Sequence, residues 1–375
     1  MRRFIVPILV IILGSGCKKN NDNNTTKNYT VPTTYSFVNF SDSNQLKILA
    51  MGDQLVAKIN IANASPGVAV STQTLTSMFN NTGGYFNDSA LHLNTSGLRL
   101  ADYFPAAEKA DMLNYLDSIG LYSQSTTIAS EGTAGVAPSS ASPNKLYLLS
   151  PNGIFYSQVV KKAIMGMCAY QIANVYMSDS INSTSDTTTL GRYWDAAFGL
   201  FGVPVTFPSV TTGLRYLGSY SNQVNAGLGS NAVIMNAFLK GRAAIANNDL
   251  STMKTQGSLL TGALDSLDAA AIVQEMHETN ANIEAGDAVA ALGTLSESLG
   301  FVRNLAYNTS SKRIITDAQI AQLLALYDSA NPNNPNLYDF LGTGLTVAQI
   351  EAKTTAIAQL IGQIYGFTST QLPLL

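Results

Sequence analysis

Two related stretches of this chain restrict what it can fold into. Thr189–Pro204 reads TLGRYWDAAFGLFGVP and holds the only tryptophan. At helical spacing Trp194, Ala197, Phe198 and Phe201 share one apolar face, while Arg192, Ala196 and Gly199 lie on another with Asp195 beside them. Gly199 and Gly202 are poor helix formers, so they are read as places where another backbone comes close. About a hundred residues later, Ala290–Leu305 repeats the design: Leu295, Leu299 and Val302 form the apolar face, and Gly293, Glu297 and Gly300 line the other. Each stretch follows a long helical pattern, Ile154–Met177 and Leu267–Ala285. The reading is an all-α protein, a helical bundle of two related halves.

The rest of the chain supports this class. Helical patterns run from Ser41 or Asp42 (as cap) through Leu46, Leu49, Leu55, Ile59 and Ile61, then over Leu75–Phe79, Pro105–Ile119, Ser230–Asn247, Asp317–Tyr327 and Val347–Ile364. Asp249–Ala285 is also helical, with a break expected near Gly257 or Gly262. Ala129–Gly153 and Pro204–Ser221 read as loops rich in Gly, Pro and Ser, the second with a short extended piece. No segment shows sustained strand alternation.

The first residues, MRRFIVPILVIILGSGC, supply a compartment. Arg2 and Arg3 precede an apolar run, Phe4–Leu13, and the small residues Gly14-Ser15-Gly16 precede Cys17. This is a secretory signal, too short for a transmembrane helix. Its end resembles the lipobox of bacterial lipoproteins, which implies cleavage before Cys17 and lipid (palmitate among it) on that cysteine. The Asn-rich segment that follows, to residue 34, reads as a flexible tether, and the helical body is expected over 35–375. Without Arg2 and Arg3 the 21 basic residues fall to 19 against 24 acidic ones, a formal charge of −5. With 12% charged residues there is no electrostatic footprint for nucleic acid, and membrane contact is expected through the anchor alone. Cys168, the one other cysteine, lies in an apolar helical pattern and reads as a small core residue.

Chemistry is sparse. No G-x-S-x-G elbow is present, and Gly132–Gly135 lacks what a phosphate loop needs. His277 lies between Glu275 and Glu278, with Glu284 two turns on; this is either a solvated polar face or, with a carboxylate from another helix, a metal site. His92 sits in a loop-like stretch. Asp195 and Glu297 are the acids of interest, since each lies by a small-residue face where a helix should approach. A carboxylate there needs a partner, and Arg192, Arg242 and Arg303 are available. The alternative is that they contact a ligand, in a cleft between the halves, with Trp194 and Arg192 beside Asp195.

Four pieces carry a resemblance: Gln158–Met167, Tyr193–Gly202, Phe238–Ile245 and Leu295–Phe301. In these the chain resembles an uncharacterised family of Gram-negative lipoproteins (the DUF4856 type) that is similar to imelysins. The resemblance implies an α-helical fold of two related bundles and a lipid-anchored envelope protein with a part in iron or haem acquisition. Imelysin-like proteins carry a His-x-x-Glu pair on a bundle helix. Here its places are taken by Tyr193-Trp-Asp-Ala196 and Thr294-Leu-Ser-Glu297, so only the acid Glu297 survives. The expectation is therefore a monomeric, non-catalytic protein that binds a small molecule or a protein partner and needs no cofactor. The alternatives are an iron or haem protein using Glu297, Asp195, His277 and Met165 or Met167, and a structural or adhesive surface protein. Whether the protein would face the periplasm or the cell surface stays open.

Overall fold

A 35-residue helix, α10 (Leu250–Glu284), is the axis on which the other helices are assembled. The computed structural model describes residues 27–37, 41–88, 90–342 and 344–375; the expected signal sequence and the expected lipidation at Cys17 lie outside the described residues. In chain order the further helices are α1 (Ser43–Asn60), α2 (Thr72–Phe79), α3 (Ala106–Tyr122), α4 (Tyr156–Tyr170), α5 (Asp179–Asn182), α6 (Thr187–Phe201), α7 (Tyr216–Gln223), α8 (Asn225–Leu228), α9 (Ser230–Ala246), α11 (Ala288–Asn304), α12 (Asp317–Tyr327), α13 (Leu337–Leu341) and α14 (Val347–Tyr365). The fold is all-α, as the sequence pattern implies. Helices α9, α11 and α14 pack along α10; α4 packs on α11, and α6 on α9. One apolar core runs through all of them, from Tyr35 to Leu375. Among the described residues no helix is long and apolar enough to cross a membrane.

Local chemistry explains the boundaries. Asp186 caps α6 by accepting from the Thr188 amide, and Gly202 ends it at φ 79°, a left-handed turn that a side chain would strain. Thr316 with Gln319 and Thr346 with Gln349 form capping boxes at α12 and α14. Asp287 caps α11 through the Ala290 amide at 3.0 Å. The same carboxylate accepts from the Ser139 hydroxyl and, at 3.1 Å, from the Ala141 amide, tying the loop before α4 to the bundle.

Several boundaries differ from expectation. The segment expected as tether is docked from Lys27: its amine reaches the Asn247 and Asn248 carbonyls, and the Tyr29 hydroxyl donates to Asp249 at 3.0 Å. The long loop before α4 contains an antiparallel pair, β1 (Gly135–Pro138) and β2 (Leu146–Leu149), whose four-residue strands are too short to show alternation. Helix α10 has no break: it runs on through Gly257, which is buried, and through Gly262, which is half-buried. Helix α7 replaces the end of an expected loop, since Tyr216, Leu217 and Tyr220, followed by Val224, bury an apolar face at helical spacing. Past Tyr170, α4 widens into a π-helical turn over Gln171–Tyr176. At α1, Asp42 occupies the cap position without bonding an amide, and Leu46 and Ile61 lie exposed outside the stripe.

Trp194 is core. It is 2% exposed, its indole N–H donates to the Phe238 carbonyl at 2.9 Å, and its ring covers Gly241 so closely that a Cβ there would lie 1.9 Å from it. Gly262, by contrast, has open space where a Cβ would go. Gly241→Ala should therefore cost about 2–3 kcal/mol by overpacking. Gly262→Ala should gain up to about 1 kcal/mol from helix propensity. Urea denaturation of both variants checks the pair of signs; equal effects would contradict this packing.

Candidate ligand-binding cleft

Lys161 and Lys162 are adjacent on α4 and therefore point about 100° apart. Lys162 shares a helix face with Gly166, Ala169 and Ala173, small residues that let a neighbouring helix approach. That neighbour is α11. A Cβ on Gly300 would lie 2.8 Å from the Lys162 Cβ, and one on Gly166 would lie 2.5 Å from the Asn304 side chain. Asn304 locks the contact by donating to the Lys162 carbonyl at 2.7 Å. Glycines thus let the backbones approach until Lys162 is 0% exposed.

The buried ammonium sits over two rings, 4.6 Å from the Tyr220 centroid and 5.0 Å from that of Phe301. It donates to the Glu297 carboxylate and to the Tyr220 hydroxyl. The Tyr220 oxygen lies 2.9 Å from Glu275 Oε1 and 3.1 Å from Glu297 Oε2, and its single proton can serve one of them at a time. Glu275 is 2% exposed, and its Oε2 has no acceptor-compatible partner among the described residues. A proton on Glu275 resolves this. Burial and then the charge of Glu297 push its carboxyl well above the usual range. Burial alone would raise Glu297 too, but the Lys162 ammonium outweighs it and holds that carboxyl below its ordinary value, with a hydrogen bond from Glu275 adding to the effect. The cluster is thus one cation, one carboxylate and one neutral acid sharing a proton.

This cluster floors a cleft of about 600 Å³ between α1, α4, α7, α10 and α11. Lys161 lines it, half-buried, with no hydrogen-bond or ion-pair partner among the described residues. Burial and the neighbouring Lys162 charge lower its pKa. At one wall Arg215 Nε meets Asp53 Oδ2 at 3.4 Å, and the exposed Glu278 also lines the cleft. Tyr216 holds this wall at φ 42°, a left-handed conformation rare for an aromatic residue. Its hydroxyl is admitted by Gly52, where a Cβ would lie only 2.6 Å away.

The structure separates the two acids that the sequence singled out. Glu297 lines the cleft; Asp195 does not. Asp195 is 0% exposed and accepts from Arg242 Nε at 2.9 Å and from the Tyr35 hydroxyl at 2.7 Å, joining α6 and α9 to the segment before α1. Tyr35 stacks on Phe198 with centroids 3.7 Å apart. Arg192 is exposed and lines a different cavity, of about 240 Å³, with Arg242. The partner of Glu297 is Lys162 and not an arginine. Arg303 instead donates to the Tyr115 hydroxyl and the Asn333 carbonyl. His277 bonds the Leu372 carbonyl at 3.0 Å and secures the C-terminal turn, while Glu275, expected beside it on a solvated face, points inward. Met165 and Met167 are 1% and 0% exposed core residues. Among the described residues no three His, Cys, Asp or Glu side chains converge on a metal position, so Glu297, Asp195 and His277 are not brought together as one metal-ligand set.

The family model described as a domain of unknown function, DUF4856, matches residues 32–368. The chain belongs to that family. Its match covers every helix of the cleft. Comparison with curated proteins and with solved structures finds no match. The family description carries no activity, and likeness to imelysins rests on the short sequence stretches alone.

Titration of the floor has opposite signs at its two acids. Glu297, lowered in the fold, contributes stability above its unfolded pKa near 4.5 that is lost as pH falls through its folded value. Glu275, raised in the fold, contributes stability that is full below 4.5 and is lost as pH rises through its folded value. Glu275→Gln mimics the protonated acid. Its stability relative to wild type should therefore improve steadily as pH rises above 4.5. Lys162→Met should cost about 3 kcal/mol or more at pH 7 by leaving Glu297 without its counter-charge. Denaturation at several pH values reads both; a pH-independent Glu275→Gln difference would contradict the assigned proton.

Proposed function

We propose that this protein is a monomeric, lipid-anchored component of the cell envelope that binds a small, polar, charge-bearing molecule in the α4–α7–α10–α11 cleft. The observation that carries this reading is Lys161, a half-buried cation without a partner among the described residues. It faces the same 600 Å³ space as the Glu275–Glu297 pair. An unpaired half-buried charge is costly unless a ligand completes it. A molecule with an anionic or acceptor group for Lys161 and a donor for Glu297 or Glu278 fits that wall-to-wall polarity. The anchor is supported by the N-terminal sequence ending at Cys17, with the outer membrane as the site of attachment. Contact with the membrane is through the lipid alone.

A second reading has its own support. Two neighbouring carboxyls, one protonated and one ionised, are the arrangement that acid–base enzymes use, so Glu275 could give a proton to a bound substrate and Glu297 could take one. The two readings differ in a single experiment. Thermal-shift titration with amino acids, short peptides and sugar acids should find a class that raises Tm, and Lys161→Met should weaken it at least about tenfold. Equal affinity in Lys161→Met would overturn the binding reading. Turnover of the bound compound that disappears in Glu275→Gln would establish the second reading; binding that survives in Glu275→Gln without turnover in either protein would leave the first.

A further inference from the structure

A second polar site lies behind the cleft, where the end of α4 and its π-helical turn face α10 and the C-terminal end of α11. It is a pocket of about 10 Å³, room for one body the size of a water molecule. Asp265 and Asp268 enter it from α10, three residues apart and so on one face of the helix. They are 5% and 4% exposed. Asn304 enters from α11 at 2% exposure, and Thr261, Asn308 and the tyrosines Tyr170 and Tyr307 complete the polar lining.

Two oxygens in this pocket are unprovided for. Asp268 Oδ1 and Asn304 Oδ1 are buried with no hydrogen-bond partner among the described residues. The direction of the Asn304 oxygen is fixed, because its nitrogen is held by the Lys162 carbonyl. Asp265 is better served, accepting from the Ile314 amide at 2.9 Å, Asn308 Nδ2 at 3.3 Å and the Tyr365 hydroxyl at 3.3 Å. No lysine or arginine lines the pocket, although Arg313 acts on Asp265 from outside it. Burial and then the charge of Asp265 push the Asp268 carboxyl well up.

One water could donate to both orphaned oxygens but would leave the two carboxyls uncompensated. A proton on Asp268, donated to the Asn304 oxygen, is the competing arrangement, and it predicts a pocket that binds no calcium. A cation meets both needs. The donors are all oxygen, which selects a hard ion, and two carboxylates match a charge of two. Magnesium demands a near-ideal octahedron and gives up its water reluctantly, whereas calcium accepts irregular sets of carboxylate and amide oxygens.

We propose that the pocket between α4, α10 and the C-terminal end of α11 binds one calcium-class cation, held by Asp265, Asp268 and Asn304 with Thr261 as a further oxygen donor. Bound there, the ion joins α10 to the C-terminal end of α11 and acts on α4 only through the same Asn304 that holds the Lys162 carbonyl.

The test uses the full chain, stripped with EDTA and returned to chelator-free buffer. Equilibrium dialysis with radioactive calcium should find one ion per chain, at half-saturation on the order of 1 mM or tighter. Calcium should raise Tm by roughly 5 °C, and magnesium at the same concentration by much less. Asp268→Asn should lose calcium binding and the Tm response, while its metal-free Tm equals or exceeds that of wild type. No calcium bound by wild type would overturn the proposal, and that result does not depend on any variant folding. Equal binding by Asp268→Asn would overturn it as well, by placing the ion elsewhere.

Discussion

A lysine with no access to water governs the centre of this fold. Lys162 can be buried only because Gly300 and Gly166 let α4 and α11 approach until the side chain is enclosed. Once enclosed, its charge needs an anion and further acceptors, which Glu297 and Tyr220 provide. That choice fixes the next one. With Glu297 ionised, Glu275 beside it is held neutral, and the Tyr220 hydroxyl has two carboxyls to serve. Four residues from four helices are therefore tied into one hydrogen-bonded cluster, and a shift of any of these helices would leave a buried charge uncompensated.

The same logic appears elsewhere in the molecule with a different outcome. Asp195 is as deeply buried as Lys162, but Arg242 and Tyr35 meet it and it does not line the cleft, so it acts as a joint between α6, α9 and the segment before α1. The floor cluster differs because it borders open space. Lys161, Glu278 and the Arg215–Asp53 pair face that space, and Tyr216 is kept in a left-handed conformation to complete the wall. Backbone strain of about 1–3 kcal/mol beside an unpaired cation is the combination that binding sites tolerate and plain cores discard.

The helices were legible because apolar residues recur at three- and four-residue steps. The faces that come close were legible because glycine is costly in a helix, so Gly199, Gly293 and Gly300 had to serve contact. The close acids were legible for the same reason, but their partners were not. Lys162 stands beside Lys161 in a row of small residues, and a solvated reading of a Lys-Lys pair is the ordinary one. Its burial follows only from knowing that α11 covers it. Glu275 was read with His277 and Glu278 as one polar face. Yet Asp268, Ile272, Glu275 and Thr279 form a continuous buried row on α10, and that spacing was the available signal. Residues 27–34 looked like tether because they carry little apolar surface; what fixes them is a lysine and a tyrosine meeting the α9–α10 turn. The capping and hairpin details depend on contacts between segments far apart in sequence, as with Ser139 and Asp287.

The most direct test of this account is the protonation state of the two floor acids, read by carboxyl carbon-13 NMR in protein labelled at glutamate, with Glu275→Gln and Glu297→Gln for assignment. The account predicts one carboxyl, lost in Glu275→Gln, that stays protonated at neutral pH, and a second, lost in Glu297→Gln, that stays ionised well into acid. Two carboxyls that both titrate near 4.5 would contradict it: they would mean that the Lys162 charge is solvated and that the cluster is not the buried, mutually fixed unit on which the cleft depends.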